Sequence, residues 1–213
     1  MHKLTRSRGF LAVTVPAAIG LVAATAVIAG PDAASASTIT ISYPVHGSTH
    51  LKAPNTTVSL GPGTLKTTLN ASAATLSASL TLPAAKVSFK EFGLIPVSAT
   101  TKFIQSGPTT GKINLSTGAV QTTSKITLKI VSMSVGGLPV FVGNSCQSAT
   151  PAVITMKSQP GFSVVTGGKL AGTYTIPAFA HCGLAGVLTP LINLSITGPG
   201  NTITFTLGAG KAA

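Results

Sequence analysis

Carboxylate side chains are almost absent from this 213-residue sequence, which contains two acidic residues, Asp32 and Glu91. Glycosidases need a pair of carboxylates, calcium sites need several, and a Ser-His-Asp triad needs one to orient its histidine. The G-x-S-x-G motif of serine hydrolases is missing as well. The sequence therefore predicts a non-catalytic protein that requires no metal and no cofactor.

Arginine and tryptophan are scarce too, since the only arginines are Arg6 and Arg8 and there is no tryptophan. Removal of Lys3 and both arginines with an N-terminal segment would leave eleven lysines against Glu91, a net charge of +10. Without guanidinium groups, and with few aromatic residues between the lysines, specific nucleic-acid binding is not expected. Anionic wall polymers or lipid headgroups remain as partners, and a merely solubilising surface charge is the alternative.

The N-terminus has the pattern of a secretory signal peptide. Basic residues in "MHKLTRSR" precede an apolar run over 9–30, and small residues follow at 33–36. We expect a signal helix over 1–36, cleaved between Ala36 and Ser37, and one secreted domain over 37–213. The long apolar run leaves an uncleaved anchor as the alternative. No second apolar run of that length follows, so no transmembrane span is expected in the mature chain.

Apolar residues recur at every second position across most of the remaining chain. In "ATLSASLTLP" they are Leu76, Ala78, Leu80 and Leu82, with serine and threonine between them. A period of two indicates half-buried strands, and glycine-rich turns divide the chain into nine to eleven of them. The sequence predicts an all-β fold, specifically an antiparallel β-sandwich. The segment "GLAGVLTPLINL" comes closest to helical spacing, but Pro190 is expected to break it.

The two cysteines, Cys146 and Cys182, are an even count in a chain that we expect to be secreted. Oxidising compartments favour pairing, so a disulfide that closes 36 residues is predicted. A catalytic Cys182 with His181 as its base is the alternative, although neighbouring side chains of an extended segment point apart. His46 and His50 have a metal-ligand spacing only on a helix, which Pro44 and Gly47 make unfavourable, so no metal site is predicted.

Two apolar segments bracketed by glycine and proline, "FGLIPV" (92–97) and "GGLPVFVG" (136–143), support a second functional hypothesis. Either could line a pocket between the sheets, in which case the protein would be a carrier of an apolar, lipid-like ligand. Alternatively, both are ordinary core strands with proline at an edge.

The segments "LPVFVGNSCQSATP" (138–151), "GGKLAGTYTIPAFAHCG" (167–183) and "LTPLINLSITGPGNTITFTLG" (188–208) carry a family resemblance. They resemble a group of small, secreted, β-rich actinobacterial proteins of unknown function. The resemblance covers essentially the whole mature chain and implies a bacterial source with a thick wall. It implies no site residues. The leading hypothesis is therefore a secreted or envelope-associated protein that contacts anionic polymers or headgroups through lysines.

Overall fold

The segments in which apolar and polar residues alternate form strands along most of the described chain. The computed structural model describes residues 38–213, so the predicted signal helix, with Ala36 and Ser37, lies outside the described residues. The strands are β1 (Thr38–Leu51), β2 (Thr56–Asn70), β3 (Thr75–Thr81), β4 (Ala85–Glu91), β5 (Ile95–Gln105), β6 (Thr109–Ile113), β7 (Val120–Val135), β8 (Leu138–Val140), β9 (Gln147–Ser148), β10 (Ala152–Ser158), β11 (Gly168–Ile176), β12 (Phe179–Ala180), β13 (Gly198–Leu207) and β14 (Lys211–Ala212). A 3-10 turn at Leu184–Gly186 precedes the helix α1 (Thr189–Ile196).

The strands close into an eight-stranded antiparallel barrel with additional strands. Its ring runs β1–β2–β3–β6–β7–β10–β11–β13 and returns to β1. Closure depends on β7, which pairs with β6 on one edge and with β10 on the other. Strands β4 and β5 continue the wall beyond β3 and β6, because β5 pairs with the second half of β7. We call the end where β1 begins the lower end and the end where β1 finishes the upper end.

The stagger of the barrel follows from the strand register. A row of directly opposite residues starts at Thr40 on β1, passes around the ring, and returns to β1 at His50, ten residues further along. The row is Thr40, Thr68, Ser77, Thr110, Thr123, Thr155, Thr173, Thr202 and His50. Ten residues of rise across eight strand spacings tilt the strands by about 40° from the barrel axis. A barrel of this size has an interior that side chains or one small ligand can fill.

The all-β prediction is confirmed, but the strands close into a barrel where a two-sheet sandwich was expected. Period-two alternation reports which face of a strand is buried, and that face is the same in a sandwich and in a barrel. The difference is made by β7, whose 16 residues are long enough to pair with several partners on both edges. The strand count also exceeds the expected nine to eleven, because short segments such as β8, β9, β12 and β14 add to the longer strands.

Each end of the barrel is closed by chain segments. At the lower end, the lower loop (residues 159–167) connects β10 to β11 and packs Phe162 against the core. At the upper end, Phe179 and Ile192 are buried beside Cys146 and Cys182. The ends therefore differ: a loop covers the lower end, whereas a helix and a cross-linked segment cover the upper end.

The helix α1 begins with the proline that was expected to prevent it. Pro190 lies in the first turn, where its missing N–H has no intrahelical partner to lose and its φ suits a helix. Ile192 is buried at 2% exposure and anchors the helix to the core. Within residues 38–213, no helix has both the length and the apolar character to cross a membrane.

Candidate functional site

The predicted disulfide between Cys146 and Cys182 is present. The two Cα atoms lie 4.3 Å apart, and both cysteines are fully buried. His181 is exposed and has a φ of 58°. Because the sulfur of Cys182 is bonded to Cys146, it is not a thiolate that His181 could activate. The alternative of a catalytic cysteine is therefore wrong.

The remaining candidate histidines both lie on β1, on its outer side. His46 is exposed beside a bulge between Val45 and Gly47, and Nδ1 of His50 lies 3.3 Å from the Thr57 hydroxyl. No three His, Cys, Asp or Glu side chains in residues 38–213 come close enough together to hold a metal ion. The structure therefore does not bring these histidines into a common site.

Large exposed apolar side chains concentrate at the upper end. Of fifteen such residues in the described part of the chain, nine lie in the turns, the adjoining strand ends and the helix of this end. We call this set the upper rim: Phe92, Leu94, Ile95, Leu138, Phe141, Leu184, Val187, Leu191 and Leu194. Four of them, Phe92, Leu94, Leu138 and Leu184, are each between 73% and 83% exposed. Exposed apolar residues that gather at one end of a fold are candidates for a binding surface.

Two neighbouring hairpin tips form one side of the upper rim. The β4–β5 turn carries Phe92 and Leu94, and the β7–β8 turn precedes Leu138. The two turns are adjacent because β5 pairs with β7 up to Val97 opposite Val135, and the Gly136 N–H donates to the Pro96 carbonyl at 2.8 Å. The first residues of "FGLIPV" and of "GGLPVFVG" are therefore exposed tips, whereas Val97 and Val142 are buried in the core. Neither segment lines the interior cavities of the barrel.

Phe92 adopts a backbone conformation that bulky residues avoid. In the two-residue turn closed by the Leu94 N–H and the Glu91 carbonyl, Phe92 and Gly93 have φ values of 50° and 73°. Such turns prefer Asn, Asp or Gly at the first position, and the neighbouring β7–β8 turn has Gly136 there. A left-handed phenylalanine costs about 1–2 kcal/mol, and Phe92 is 75% exposed, so burial within the fold offsets little of this cost.

Lysines accompany the upper rim and the wall behind it. Lys90 lies two residues before Phe92, and Lys52 lies in the β1–β2 turn at the same end. Further down the wall, Lys102 on β5 stands directly opposite Lys129 on β7. Directly opposed like charges destabilise a sheet. Glu91 pairs with Ile95, seven residues from Lys102 and about 23 Å away along the strand, too far to neutralise this pair.

The barrel interior contains a few polar groups among apolar side chains. The Thr49 hydroxyl bonds both the Tyr174 hydroxyl and the Thr202 carbonyl at 2.8 Å. Burial raises the pKa of the Tyr174 phenol above 10.0, while the hydrogen bond with Thr49 opposes that shift. Burial likewise raises the pKa of Tyr43. These hydrogen bonds connect β1 to β11 and β13 inside the barrel.

We expect the raised tyrosine pKa values to make the fold sensitive to alkali. Below pH of about 9 both states keep the phenol protonated, so the free energy of unfolding does not change. As pH rises through 10, the unfolded chain ionises first and is stabilised, so the free energy of unfolding falls until the folded phenols ionise too. Urea titrations at a series of pH values, followed by circular dichroism, measure this fall. In the Tyr174→Phe variant the slope above pH 10 should be shallower, and an unchanged slope would contradict the assignment.

Comparison with known proteins adds no functional information. No family model matches the chain, and neither the curated proteins nor the solved structures contain a match to it. The functional argument therefore depends on the geometry of this molecule.

Proposed function

We propose that the protein is a secreted, non-catalytic envelope protein that docks its upper rim on an anionic lipid surface. The observation that supports this most directly is the pair of exposed hairpin tips, with Phe92, Leu94 and Leu138, next to lysines. Entry of an apolar tip into the headgroup boundary lowers the free energy of the bound state, and attraction between nearby lysines and anionic lipid lowers it further.

The apolar part of the rim favours lipid over wall polymer as the partner. Teichoic-type polymers are hydrated polyanions, and they would give a phenylalanine ring no apolar medium to enter. Burying Phe92 and Leu94 halfway into the interface is worth about 3 kcal/mol together. The strained conformation of Phe92 is then a local cost that docking offsets.

The electrostatic contribution of each lysine to membrane binding depends on its distance from the lipid surface. At physiological ionic strength the Debye length is about 8 Å, and each lysine near an anionic leaflet contributes about 1 kcal/mol. Lys90 is about 7 Å from Phe92 along the strand, and Lys52 lies at the same end. Lys66 and Lys112 lie towards the lower end of β2 and β6, so we expect them to contribute little.

Replacing Phe92 by Asn and Leu94 by Ser together should lower binding to phosphatidylglycerol-containing vesicles roughly 100-fold, because about 3 kcal/mol of apolar burial is lost. Vesicle co-sedimentation measures this partition. The Phe92→Asn substitution alone should also raise the free energy of unfolding by about 1 kcal/mol, since asparagine tolerates the left-handed region. A gain in stability together with a loss of binding distinguishes a docking residue from a structural one.

Two matched controls place the binding at the upper end. Leu115→Ser removes a residue that is 58% exposed in the β6–β7 turn of the lower end, and it should leave vesicle binding unchanged. Lys52→Ser with Lys90→Ser should weaken binding more than Lys66→Ser with Lys112→Ser. If the protein instead sediments with purified cell wall in low salt, ignores vesicles, and is insensitive to the tip substitutions, the lipid proposal is wrong and wall polymer is the partner.

A further inference from the structure

The lower half of the barrel encloses a cavity of about 60 Å³. Its lining is mostly aliphatic, with residues such as Leu76, Ala78, Ile113 and Leu170, and none of the lining side chains is charged. A second cavity of about 40 Å³ adjoins it and shares Met156 and Phe205 as lining residues. Because one water needs roughly 10–15 Å³ of such space, the lower cavity has room for about four to six non-hydrogen atoms.

Thr122 is the unusual member of this lining. It is 7% exposed and faces inward from β7. Among the described residues, its hydroxyl is the one buried side-chain polar atom without a hydrogen-bond partner. Two other lining hydroxyls are satisfied: Thr109 and Ser124 bond each other at 2.7 Å, and Gln105 donates to Thr109 at 3.1 Å. An orphaned buried hydroxyl is costly, so an oxygen that hydrogen-bonds to Thr122 in the cavity would stabilise the protein.

The lower loop separates this cavity from solvent. Phe162 and Val164 of the loop form part of the lining. The loop is held by the Tyr43 hydroxyl, which donates to the Val164 carbonyl at 2.6 Å, and by the Gly210 N–H, which donates to the Val165 carbonyl at 2.9 Å. These two contacts attach the lower loop to β1 and to the segment after β13, and they are not part of the strand pairing of the ring.

We propose that the lower cavity binds a small, neutral, aliphatic molecule that carries one hydroxyl or carbonyl oxygen, with that oxygen hydrogen-bonded to Thr122. A carboxylate or ammonium head would be desolvated there without a partner. This site refines the hypothesis of an apolar-ligand carrier, and it lies inside a closed barrel and not between two sheets. It does not depend on lipid docking at the upper rim.

Binding of pentan-1-ol, pentane and butanoate to the protein, followed by methyl NMR shifts of Ala78 and Met156, tests the proposal. Pentan-1-ol and pentane should bind, and butanoate at neutral pH should bind at least tenfold more weakly than pentan-1-ol. The Thr122→Val variant, which keeps the shape and removes the hydroxyl, should weaken pentan-1-ol about tenfold and change pentane by less than twofold.

The Ala78→Leu variant tests the location of the site, because the larger side chain fills the cavity and should abolish binding of both pentan-1-ol and pentane while the fold is retained. Tyr43→Phe removes one hydroxyl from the lining and one hydrogen bond from the lower loop, and it should speed exchange of pentan-1-ol severalfold. If the wild type binds neither pentan-1-ol nor pentane, or if Thr122→Val weakens both equally, the proposal is wrong and Thr122 holds only an ordered water.

Discussion

Replacing Cys146 and Cys182 together by alanine is expected to lower the free energy of unfolding by about 4 kcal/mol. The disulfide closes a loop with a sequence separation of 36, and removing the link restores the conformational entropy of that loop to the unfolded chain. The lost side chains are also fully buried, so their removal leaves space in the core. Because the chain has no tryptophan, urea unfolding is best followed by circular dichroism.

Removing the disulfide should destabilise the upper end of the barrel more than the rest of the fold. Next to the disulfide, the Ile130 N–H donates to the Cys146 carbonyl at 3.0 Å, and the Gly183 N–H donates to the Val142 carbonyl at 2.8 Å. Hydrogen exchange at these amides should accelerate more than at amides of β1 and β2. The wild type measured under reducing conditions is the matched comparison, and a double variant within about 1 kcal/mol of the oxidised wild type would show that the loop-closure account fails.

The Asn201→Ala substitution is also expected to have a large effect, lowering the free energy of unfolding by about 3–4 kcal/mol. Asn201 is 2% exposed, and its side chain satisfies three backbone groups. Its Oδ1 accepts from the Lys52 N–H at 3.0 Å, and its Nδ2 donates to the carbonyls of Gly198 at 2.8 Å and Tyr174 at 3.3 Å. The side chain therefore ties the end of β1 to β11 and β13, and alanine would leave buried polar groups without partners.

A matched control for this prediction is Asn70→Ala. The Asn70 side chain accepts one hydrogen bond, from the Ala73 N–H at 2.9 Å in an exposed turn, where water can replace it. We expect the free energy of unfolding to fall by about 1 kcal/mol or less for this variant. Equal losses for the two asparagines in urea titrations would contradict the role assigned to Asn201.

Local pattern accounts for much of the fold. The inward set that includes Leu76, Ala78 and Leu80 was predicted from alternation and lines the barrel interior. The disulfide was predicted from the count of cysteines and the expected compartment, and it is present. In contrast, the sequence pattern does not predict the helix, because a proline is expected to interrupt a helix. Pro190 lies in the first turn of α1, where proline is compatible with helix formation.

The candidate sites were less predictable, because they depend on the neighbours that distant segments acquire. "FGLIPV" and "GGLPVFVG" were interpreted as pocket lining or core strands, but their exposed tips project from adjacent hairpins. The glycines at 93, 136 and 137 were the available signal for two-residue turns. No local signal distinguishes Thr122 from the many other threonines, since its isolation depends on what β6 and β10 place around it.

The sequence by itself determined the all-β class, the inward face of several strands, the cysteine pairing and the near absence of carboxylate chemistry, because composition and period-two alternation are local properties. Only the tertiary structure decided that the sheet closes into a barrel, that the apolar tips gather at the upper end, and that one hydroxyl is left unpaired inside. Those features depend on strand register and on the pairing of both edges of β7, and residues far apart in the chain set them jointly.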